Sequence, residues 1–405
     1  MQTRDHVDGT RALAQGRRLT RFACAFRFFD TFLLIIPFYT VMFADRGLPP
    51  GQIGLALAAW SLTCLVLEVP SGALADLVSR RWLLFAAELA QGACFLLWII
   101  APNFWGFLGG LALWGVKSAL TSGTFEALLF DRLTELGLED RFARLLGASQ
   151  AARFSGMMAA SLCAALAAGT LSYDAMLGAS TAACLLAALL ALSLPRAPRG
   201  MRHVGRSYVA QLKAGFVDAA RLPGVVPMML FISGVQAIGL AVGDYWQLFG
   251  REVGLGGWAI ALLVAAISGA EALASALSHR TGPRPGAGLA VIVCVSGVLL
   301  VGAALAYTPL ACLPVILGVA LARLADVSAN TLFQHRLRSD TRATVASVKG
   351  LVTQVATMVL MAGFGLFAQL SAYRSAFAAF GAAMALMGLW GLRLMRNGAH
   401  PPAAS

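Results

Sequence analysis

The sequence predicts an all-α integral membrane protein with twelve transmembrane helices, and three observations support this fold class. Of its 405 residues, 59% are hydrophobic and only 12% are charged, which is about half the charged share of a soluble domain. Twelve apolar stretches each approach the roughly 20 residues that a helix needs to cross a bilayer. The basic residues concentrate in alternate loops, as they do in membrane proteins of fixed orientation.

The twelve predicted spans are rich in Ala, Gly and Leu. Small residues let helices approach closely in lipid, where packing drives helix association. In chain order the predicted spans cover residues 22–44, 52–71, 82–101, 104–129, 146–169, 173–194, 226–249, 256–278, 287–307, 309–332, 346–370 and 374–394.

The distribution of Lys and Arg predicts the orientation of the chain. With the amino terminus in the cytoplasm, most of the 31 Lys and Arg residues lie on the cytoplasmic side, and only Arg46, Arg251 and Arg374 lie on the outer side. Both termini are therefore expected in the cytoplasm. The net charge of +12 is explained by this topology, so the sequence gives no reason to expect a nucleic-acid partner.

A basic stretch at mid-chain divides the predicted spans into two sets of six. We predict an amino-terminal six-helix bundle over 22–194, a cytoplasmic linker over 195–225 and a second six-helix bundle over 226–394. Cytoplasmic tails over 1–21 and 395–405 flank them. Apolar residues at helical spacing within the linker predict a short helix on the inner membrane surface.

The loop between spans two and three, residues 72–84, carries a recognisable pattern and is here called the signature loop. Its sequence, Gly-Ala-Leu-Ala-Asp-Leu-Val-Ser-Arg-Arg-Trp-Leu-Leu, resembles the G-x-L-A-D-R-x-G-R-R/K-x-x-L loop of the major facilitator superfamily of transporters. Leu77 and Ser79 depart from that pattern. The matching positions are Gly72, Leu74, Ala75, Asp76, Arg80, Arg81 and Leu84.

This resemblance implies a fold, a mechanism and a gate. The fold is two pseudo-symmetric six-helix bundles, and the mechanism is secondary transport by alternating access around a central cavity. More narrowly, the chain resembles a bacterial efflux-type member. Gly72, Asp76, Arg80 and Arg81 belong to the cytoplasmic gate motif, and Asp131, at the inner end of span four, is expected to complete a latch with Asp76 and Arg80.

Ionisable residues within the predicted spans are candidate functional residues, since each one is costly at bilayer depth. Arg27 and Asp30 share a face of span one at i and i+3 and can pair. Asp30 is a candidate proton-coupling carboxylate, and Arg27 would tune it. The alternative is an ion pair that only ties span one to a neighbouring helix.

Further candidates lie in spans four, seven, eight and ten. We place Lys117, Glu271 and the i, i+3 pair of Arg323 and Asp326 in the cavity, although a pair used only for packing remains open for the last two. Asp244 is either a cavity residue or an anchor at the outer interface. Two further expectations concern glutamates: Glu126 bonds a neighbouring helix, and Glu68 and Glu88 support the signature loop.

No enzyme, metal or cofactor site is predicted. The sequence has no phosphate-binding Gly loop followed by Lys-Ser/Thr, no Gly-x-Ser-x-Gly and no His-Glu-x-x-His. The seven cysteines all fall in apolar spans without a C-x-x-C pair, so they are expected to be buried small hydrophobes. The five histidines lie in tails, linker or loop edges.

The sequence therefore predicts a monomeric secondary transporter in the bacterial inner membrane, exporting a small organic molecule in exchange for protons. Import of a small metabolite is the first alternative. Span five lacks the proline and paired glycines of the G-x-x-x-G-P-x-x-G-G pattern that is usual in drug–proton antiporters of the superfamily. The second alternative is a transporter-like fold that works as a membrane sensor or scaffold.

Overall fold

The computed structural model describes residues 2–195, 208–221, 224–278, 286–337 and 341–397, and these residues form helices and connecting turns without a β-strand. Short 3-10 turns occur at Glu139–Arg141 and Pro309–Ala311. The α-helices are α1 Gln2–Thr31, α2 Tyr39–Asp45, α3 Pro50–Leu77, α4 Arg80–Ile100, α5 Phe104–Thr121, α6 Thr124–Glu135, α7 Phe142–Ala167, α8 Tyr173–Ser193, α9 Tyr208–Arg221, α10 Val225–Gly243, α11 Trp246–Glu252, α12 Gly257–Leu277, α13 Gly286–Ala306, α14 Cys312–Arg336, α15 Arg342–Leu370 and α16 Tyr373–Asn397.

Nine helices in the described ranges are long and apolar enough to cross a membrane, so the chain is a multi-pass membrane protein. The predicted spans without a counterpart among these nine are 22–44, 104–129 and 146–169. Two of them are interrupted helices, and the third, α7, is continuous but carries Arg153 in its middle. The count of twelve spans stays a prediction.

The predicted span 22–44 is not one helix, because the chain leaves helical geometry over residues 32–38. Pro37 has no N–H to donate to a preceding turn, which favours a break at this point. Non-helical backbone at membrane depth must find partners within the protein. The N–H of Ile35 finds one by donating to the Ser180 hydroxyl on α8 at 3.2 Å. Asp30 thus lies one residue before the end of α1.

The predicted span 104–129 is interrupted as well. Helix α5 ends at Thr121, and α6 begins at Thr124 after Gly123, whose φ of 68° is in the left-handed region that glycine adopts without strain. This break separates Lys117 on α5 from Glu126 on α6. A single helical wheel over the whole span therefore does not give their relative directions.

The chain divides into two compact units that are described separately. Unit 1 comprises Met1–Pro37 and Leu62–Val204, and unit 2 comprises Phe38–Ser61 and Gly205–Ser405. In unit 1, α4 packs against α5 and α8, and α1 packs against α7 and α8. The apolar core of unit 1 lies among α1, α4, α6, α7 and α8, with Phe26, Leu84 and Phe125 fully buried.

Unit 2 is built around α10, α13, α14, α15 and α16, whose apolar faces meet in a second core that contains Phe231 and Phe333. Helix α2 and the first part of α3 also belong to this unit. Within it, Thr40 bonds the side chain of Gln247 through both its N–H and its hydroxyl. Helix α9, which lies in the stretch 195–225, packs on α15.

Candidate functional site

A cluster of five ionisable side chains lies inside unit 1 and is here called the unit 1 cluster: Arg27, Asp30, Glu88, Lys117 and Glu126. Asp30 is at its centre. The Lys117 ammonium donates to Asp30 Oδ1 at 2.5 Å, and Arg27 Nη1 is 3.4 Å from Asp30 Oδ2. The Asp30 side chain is only 3% exposed, so its negative charge needs a cation close by, and two are present.

Arg27 connects Asp30 to a second carboxylate. While Nη1 faces Asp30, Nη2 donates to Glu126 Oε1 at 2.9 Å. The guanidinium also lies over the Phe125 ring, 4.1 Å from its centroid, a cation–π arrangement that suits arginine. Glu126 therefore bonds a neighbouring helix, α1, and it does so as part of the same cluster as Lys117.

Glu88 lies in this cluster and not with the signature loop. Its side chain is completely buried, and it interacts electrostatically with Asp30 and Lys117. Neither carboxyl oxygen meets the geometry of a hydrogen bond to a described residue. The expectation that Glu88 supports the signature loop was therefore wrong, because α4 turns this residue towards α1 and α5. Glu88 is the one acidic residue of the apolar helix Arg80–Ile100. This feature of the sequence could have identified it as a candidate site residue.

The unit 1 cluster contains more acids than bases. Arg27 and Lys117 supply two positive charges, and Asp30, Glu88 and Glu126 supply three carboxyl groups. The cluster is electrically neutral when one carboxyl group holds a proton. Such a group of charges inside a membrane protein is able to bind and release a proton as its surroundings change.

Unit 2 contains a polar recess of about 370 Å³, here called the unit 2 recess. It is formed by α10, α14 and α15, and its lining contains three amide side chains and three charged ones. The lining residues are Gln236, Arg323, Asp326, Val327, Asn330, Thr331, Gln334 and Lys349. This volume is at the lower end of the range for small-molecule pockets.

The charged pair predicted on α14 forms one wall of the recess. Arg323 Nη1 donates to Asp326 Oδ2 at 3.0 Å, and Arg323 Nε donates to the Ser275 hydroxyl on α12 at 3.1 Å. Asn330 donates to Asp326 Oδ1 at 2.7 Å. The Arg323 side chain remains 42% exposed, so part of this cation is available to a ligand.

Lys349, which the sequence analysis did not single out, lies on the other wall. Its ammonium donates to Asn330 Oδ1 at 2.6 Å and to Gln236 Oε1 at 3.2 Å. Both partners are neutral amides, and no described carboxylate lies within ion-pair distance of the Lys349 ammonium. The sequence places it near the start of the predicted span 346–370, as a charge close to a helix end. The amides that hold it lie on other helices and could not be inferred.

The remaining candidates of unit 2 have different surroundings. Glu271 on α12 interacts electrostatically with Arg323, so it lies beside the recess without lining it. Asp244 lies between α10 and α11, where its backbone carbonyl accepts from the Thr40 hydroxyl at 3.0 Å. The structure thus brings Asp244 to the segment that begins α2, and not to the lining of the recess.

The signature loop shows one of its expected contacts. Arg80 Nη1 forms an ion pair with Asp131 Oδ2, and both side chains are about one quarter exposed. Arg81 lies over the neighbouring Trp82 ring, 5.7 Å from its centroid. Gly72 is exposed on α3, with open space where a Cβ would stand. The side chain of Asp76 is outside the described part of the chain.

A metal site is not apparent in the ranges that the structure describes, since they contain no group of three or more His, Cys, Asp or Glu side chains able to hold an ion. The cysteines are free and spread over several helices. The unit 1 cluster and the unit 2 recess both combine carboxylates with ammonium and guanidinium groups. These groups are suited to binding protons and polar solutes.

Comparison with known proteins supports the fold. A family model of the Major Facilitator Superfamily matches residues 22–359. Similar solved structures include a mutant of the nucleoside transporter NupG, with a TM-score of 0.78, 14% identity and coverage of 93% of this chain and 99% of that one. A bacterial homologue of the human lysosomal transporter Spinster, inward-facing and unoccupied, is also similar. Its TM-score is 0.72, its identity is 15%, and the match covers 96% of this chain and 97% of that chain.

A D-xylose–proton symporter is similar as well, with a TM-score of 0.69, 13% identity and coverage of 94% of this chain and 98% of that chain. No curated protein sequence matches the chain significantly. Identities this low show a shared fold and leave the solute and the driving ion to be inferred from the residues of this chain.

Proposed function

Because the chain belongs to the major facilitator superfamily, we propose that it is a secondary active transporter that carries a small organic molecule across the bacterial inner membrane. In this proposal, export of the solute is coupled to entry of protons by alternating access. The superfamily membership and the transporter folds that resemble it indicate transport and not enzyme chemistry.

The unit 1 cluster is the observation that carries the proposal of proton coupling. Five ionisable groups inside a membrane protein are costly to keep, and packing alone needs none of them, because apolar side chains of similar volume often stabilise as well or better. Asp30 is held by two cations from different helices. A change of charge within the cluster therefore alters the contacts that Asp30 makes between α1 and α5, which makes Asp30 a suitable centre for coupling.

The unit 2 recess supports the proposal of a small polar solute. Its amides offer donors and acceptors, and Arg323 and Lys349 offer positive charge. A recess of about 370 Å³ with this polar lining suits a polar molecule of metabolite size better than an apolar drug. In this proposal the proton binds in the unit 1 cluster and the solute binds in the unit 2 recess, and both are released in the same transport cycle.

Export is proposed because the chain resembles efflux-type members of the superfamily. Import is the second candidate, and the residues of α7 favour it: this helix lacks the proline and paired glycines of the antiporter pattern. A symporter would use the same proton site and the same recess, but the solute and the proton would move in the same direction.

Transport by purified protein in proteoliposomes tests the proposal. A solute is first identified by the altered compound sensitivity of a deletion strain, and its uphill movement is then driven by an imposed pH gradient. We expect accumulation with the gradient, and the sign of the gradient that drives it decides between export and import. Absence of any pH-driven movement, with counterflow intact, would contradict proton coupling.

Asp30→Asn is the informative variant in that assay. It should abolish uphill transport while solute binding and downhill exchange persist. Asp140→Asn, at an exposed aspartate of a 3-10 turn, is the matched control and should behave as the wild type. If Asp30→Asn still concentrates the solute, the coupling role passes to Glu271 or Asp326. If it damages yield and every transport mode together, Asp30 is a structural residue.

A further inference from the structure

Glu88 is the member of the unit 1 cluster that takes no part in the ion pairs described above. Its side chain has no exposed surface, and neither of its oxygens meets the geometry of a hydrogen bond to a described residue, although Asp30 lies close enough to interact with it. The other two acids of the cluster differ in this respect, since Asp30 and Glu126 each accept from at least one cation. Glu88 is therefore the carboxyl group with the least compensation for a negative charge.

The ionisable groups that interact with Glu88 come from three neighbouring helices. From α1 come Asp30 and Arg27, and from α5 comes Lys117. From α8 comes the buried thiol of Cys184. The one carboxylate among these groups, Asp30, already binds both cations. A second negative charge on Glu88 would lie beside Asp30 without a cation of its own.

The protonation state of Glu88 follows from these contacts. An ionised carboxylate without hydrogen-bond donors is strongly unfavourable in a site away from water. Two neighbouring carboxyl groups also resist ionising together. The excess acid of the cluster, three carboxyl groups against two cations, requires one neutral carboxyl group for charge balance. In this arrangement Glu88 is that group.

We propose that Glu88 carries the proton that this protein exchanges. Asp30 is its ionised partner, and the ion pair between Asp30 and Lys117 weakens when the proton is released. This proposal rests on proton coupling as the proposed function. When the Glu88 O–H bond breaks, the proton leaves to water and the electron pair stays on the carboxylate. Lys117 is then attracted by two carboxylates, Asp30 and Glu88, so its ion pair with α1 weakens while a contact with α4 strengthens. Reprotonation restores the original pairing.

Transport by Glu88→Gln is the first test. Glutamine has the shape of the protonated acid but cannot release the proton. We expect counterflow at wild-type rates and loss of at least about nine tenths of pH-driven accumulation, together with a flat pH profile. Glu88→Asp should keep a pH-dependent profile, and Glu139→Gln, at an exposed glutamate of a 3-10 turn, should not differ from wild type. Wild-type accumulation by Glu88→Gln would overturn the proposal.

Infrared difference spectroscopy of purified protein provides a readout that does not depend on transport. A protonated buried carboxyl group gives a carbonyl stretch that disappears on ionisation. We expect this band in wild type and in Glu139→Gln, whose exposed site leaves the charge balance of the cluster unchanged, and its loss in Glu88→Gln. A wild type without the band, or a band that persists in Glu88→Gln, would overturn the assignment. If the band behaves as expected but wild type shows no pH-driven transport, the proposed function fails and the proton on Glu88 stands.

Discussion

Arg27 and Asp30 of unit 1 have the same spacing as Arg323 and Asp326 of unit 2, and the two pairs have similar N–O distances of 3.4 Å and 3.0 Å. Their surroundings differ. Arg27 is 12% exposed, whereas Arg323 is 42% exposed. The first pair meets a third charge, Lys117, at 2.5 Å. The second meets hydroxyl and amide groups.

An Arg–Asp pair at i and i+3 can therefore form part of two kinds of site, and the side chains of the neighbouring helices decide which kind. In unit 1, charges from α5 and α6 join the pair, and the result is an ion network, buried around Asp30, that exchanges a proton in our proposal. In unit 2, the hydrogen bonds to the pair come from neutral groups, Glu271 and Lys349 interact with it only electrostatically, and Arg323 remains partly exposed, which suits a solute. The predictions below compare matched positions in the two units.

The largest effect is expected from the two lysines. Lys117→Met removes the closest cation from the buried Asp30 carboxylate, and loss of one partner of a buried ion pair costs about 3–5 kcal/mol. Lys349→Met removes bonds to two amides in an open recess, where about 1 kcal/mol is expected. Thermal unfolding in detergent measures both. Equal losses of stability would show that the two lysines have the same role.

The next comparison exchanges each arginine for lysine. Arg27 reaches Asp30 and Glu126 with different nitrogens while lying over Phe125, which a single ammonium cannot reproduce. We expect Arg27→Lys to lower the rate of pH-driven transport about a hundredfold, a loss of about 2.7 kcal/mol.

Arg323→Lys is the counterpart in unit 2. A lysine there can still pair with Asp326, so we expect KM for the solute to rise about threefold with an unchanged maximal rate. The same transport assay measures both variants. A larger effect of Arg323→Lys on the maximal rate than of Arg27→Lys would reverse the roles assigned to the two units.

Much of the fold and part of each site could be predicted from the sequence. The signature loop predicted the superfamily, and the apolar lengths predicted most of the membrane helices. The i, i+3 spacing predicted both arginine–aspartate contacts, because residues three apart on a helix are neighbours. The contact between Arg80 and Asp131 was expected from their level at the inner ends of two spans.

Contacts between helices were the part that could not be predicted. Hydropathy gives the length of a span but not a break such as residues 32–38, whose backbone depends on Ser180 of another helix. A helical wheel gives the face of Glu88 but not its neighbours, which come from α1 and α5. Lys349 illustrates the same limit, since its partners lie on α10 and α14.

A smaller effect is expected from two buried serines. Ser180→Ala leaves the Ile35 N–H of the interrupted span without an acceptor, and an unpaired buried donor costs about 1–2 kcal/mol. Ser296 donates to the Gly318 carbonyl at 2.7 Å, and that carbonyl lies within the continuous helix α14. Because the carbonyl keeps its helical bond, Ser296→Ala should cost about 0.5–1 kcal/mol. Thermal unfolding compares the two, and faster hydrogen exchange at Ile35 should accompany only the first change.

The smallest effect on stability is expected at the Arg80–Asp131 ion pair. Its side chains are 23% and 28% exposed, and the coupling energy of such partly solvated pairs is about 1 kcal/mol or less. A double-mutant cycle with Arg80→Gln and Asp131→Asn measures it. High salt should reduce this coupling, whereas the coupling between Asp30 and Lys117 should hardly change, because buried pairs are screened much less.

A latch role for this pair predicts more from transport than from stability. If Arg80 and Asp131 hold the cytoplasmic side in one state, either single variant should shift that state's population and lower transport several-fold. The double variant should then be no worse than each single one, because both remove the same contact. The exchange Arg80→Asp with Asp131→Arg, which restores opposite charges, should recover part of the rate. Additive losses in the double variant would show that the two residues act separately, and that their ion pair is a surface contact without a part in gating.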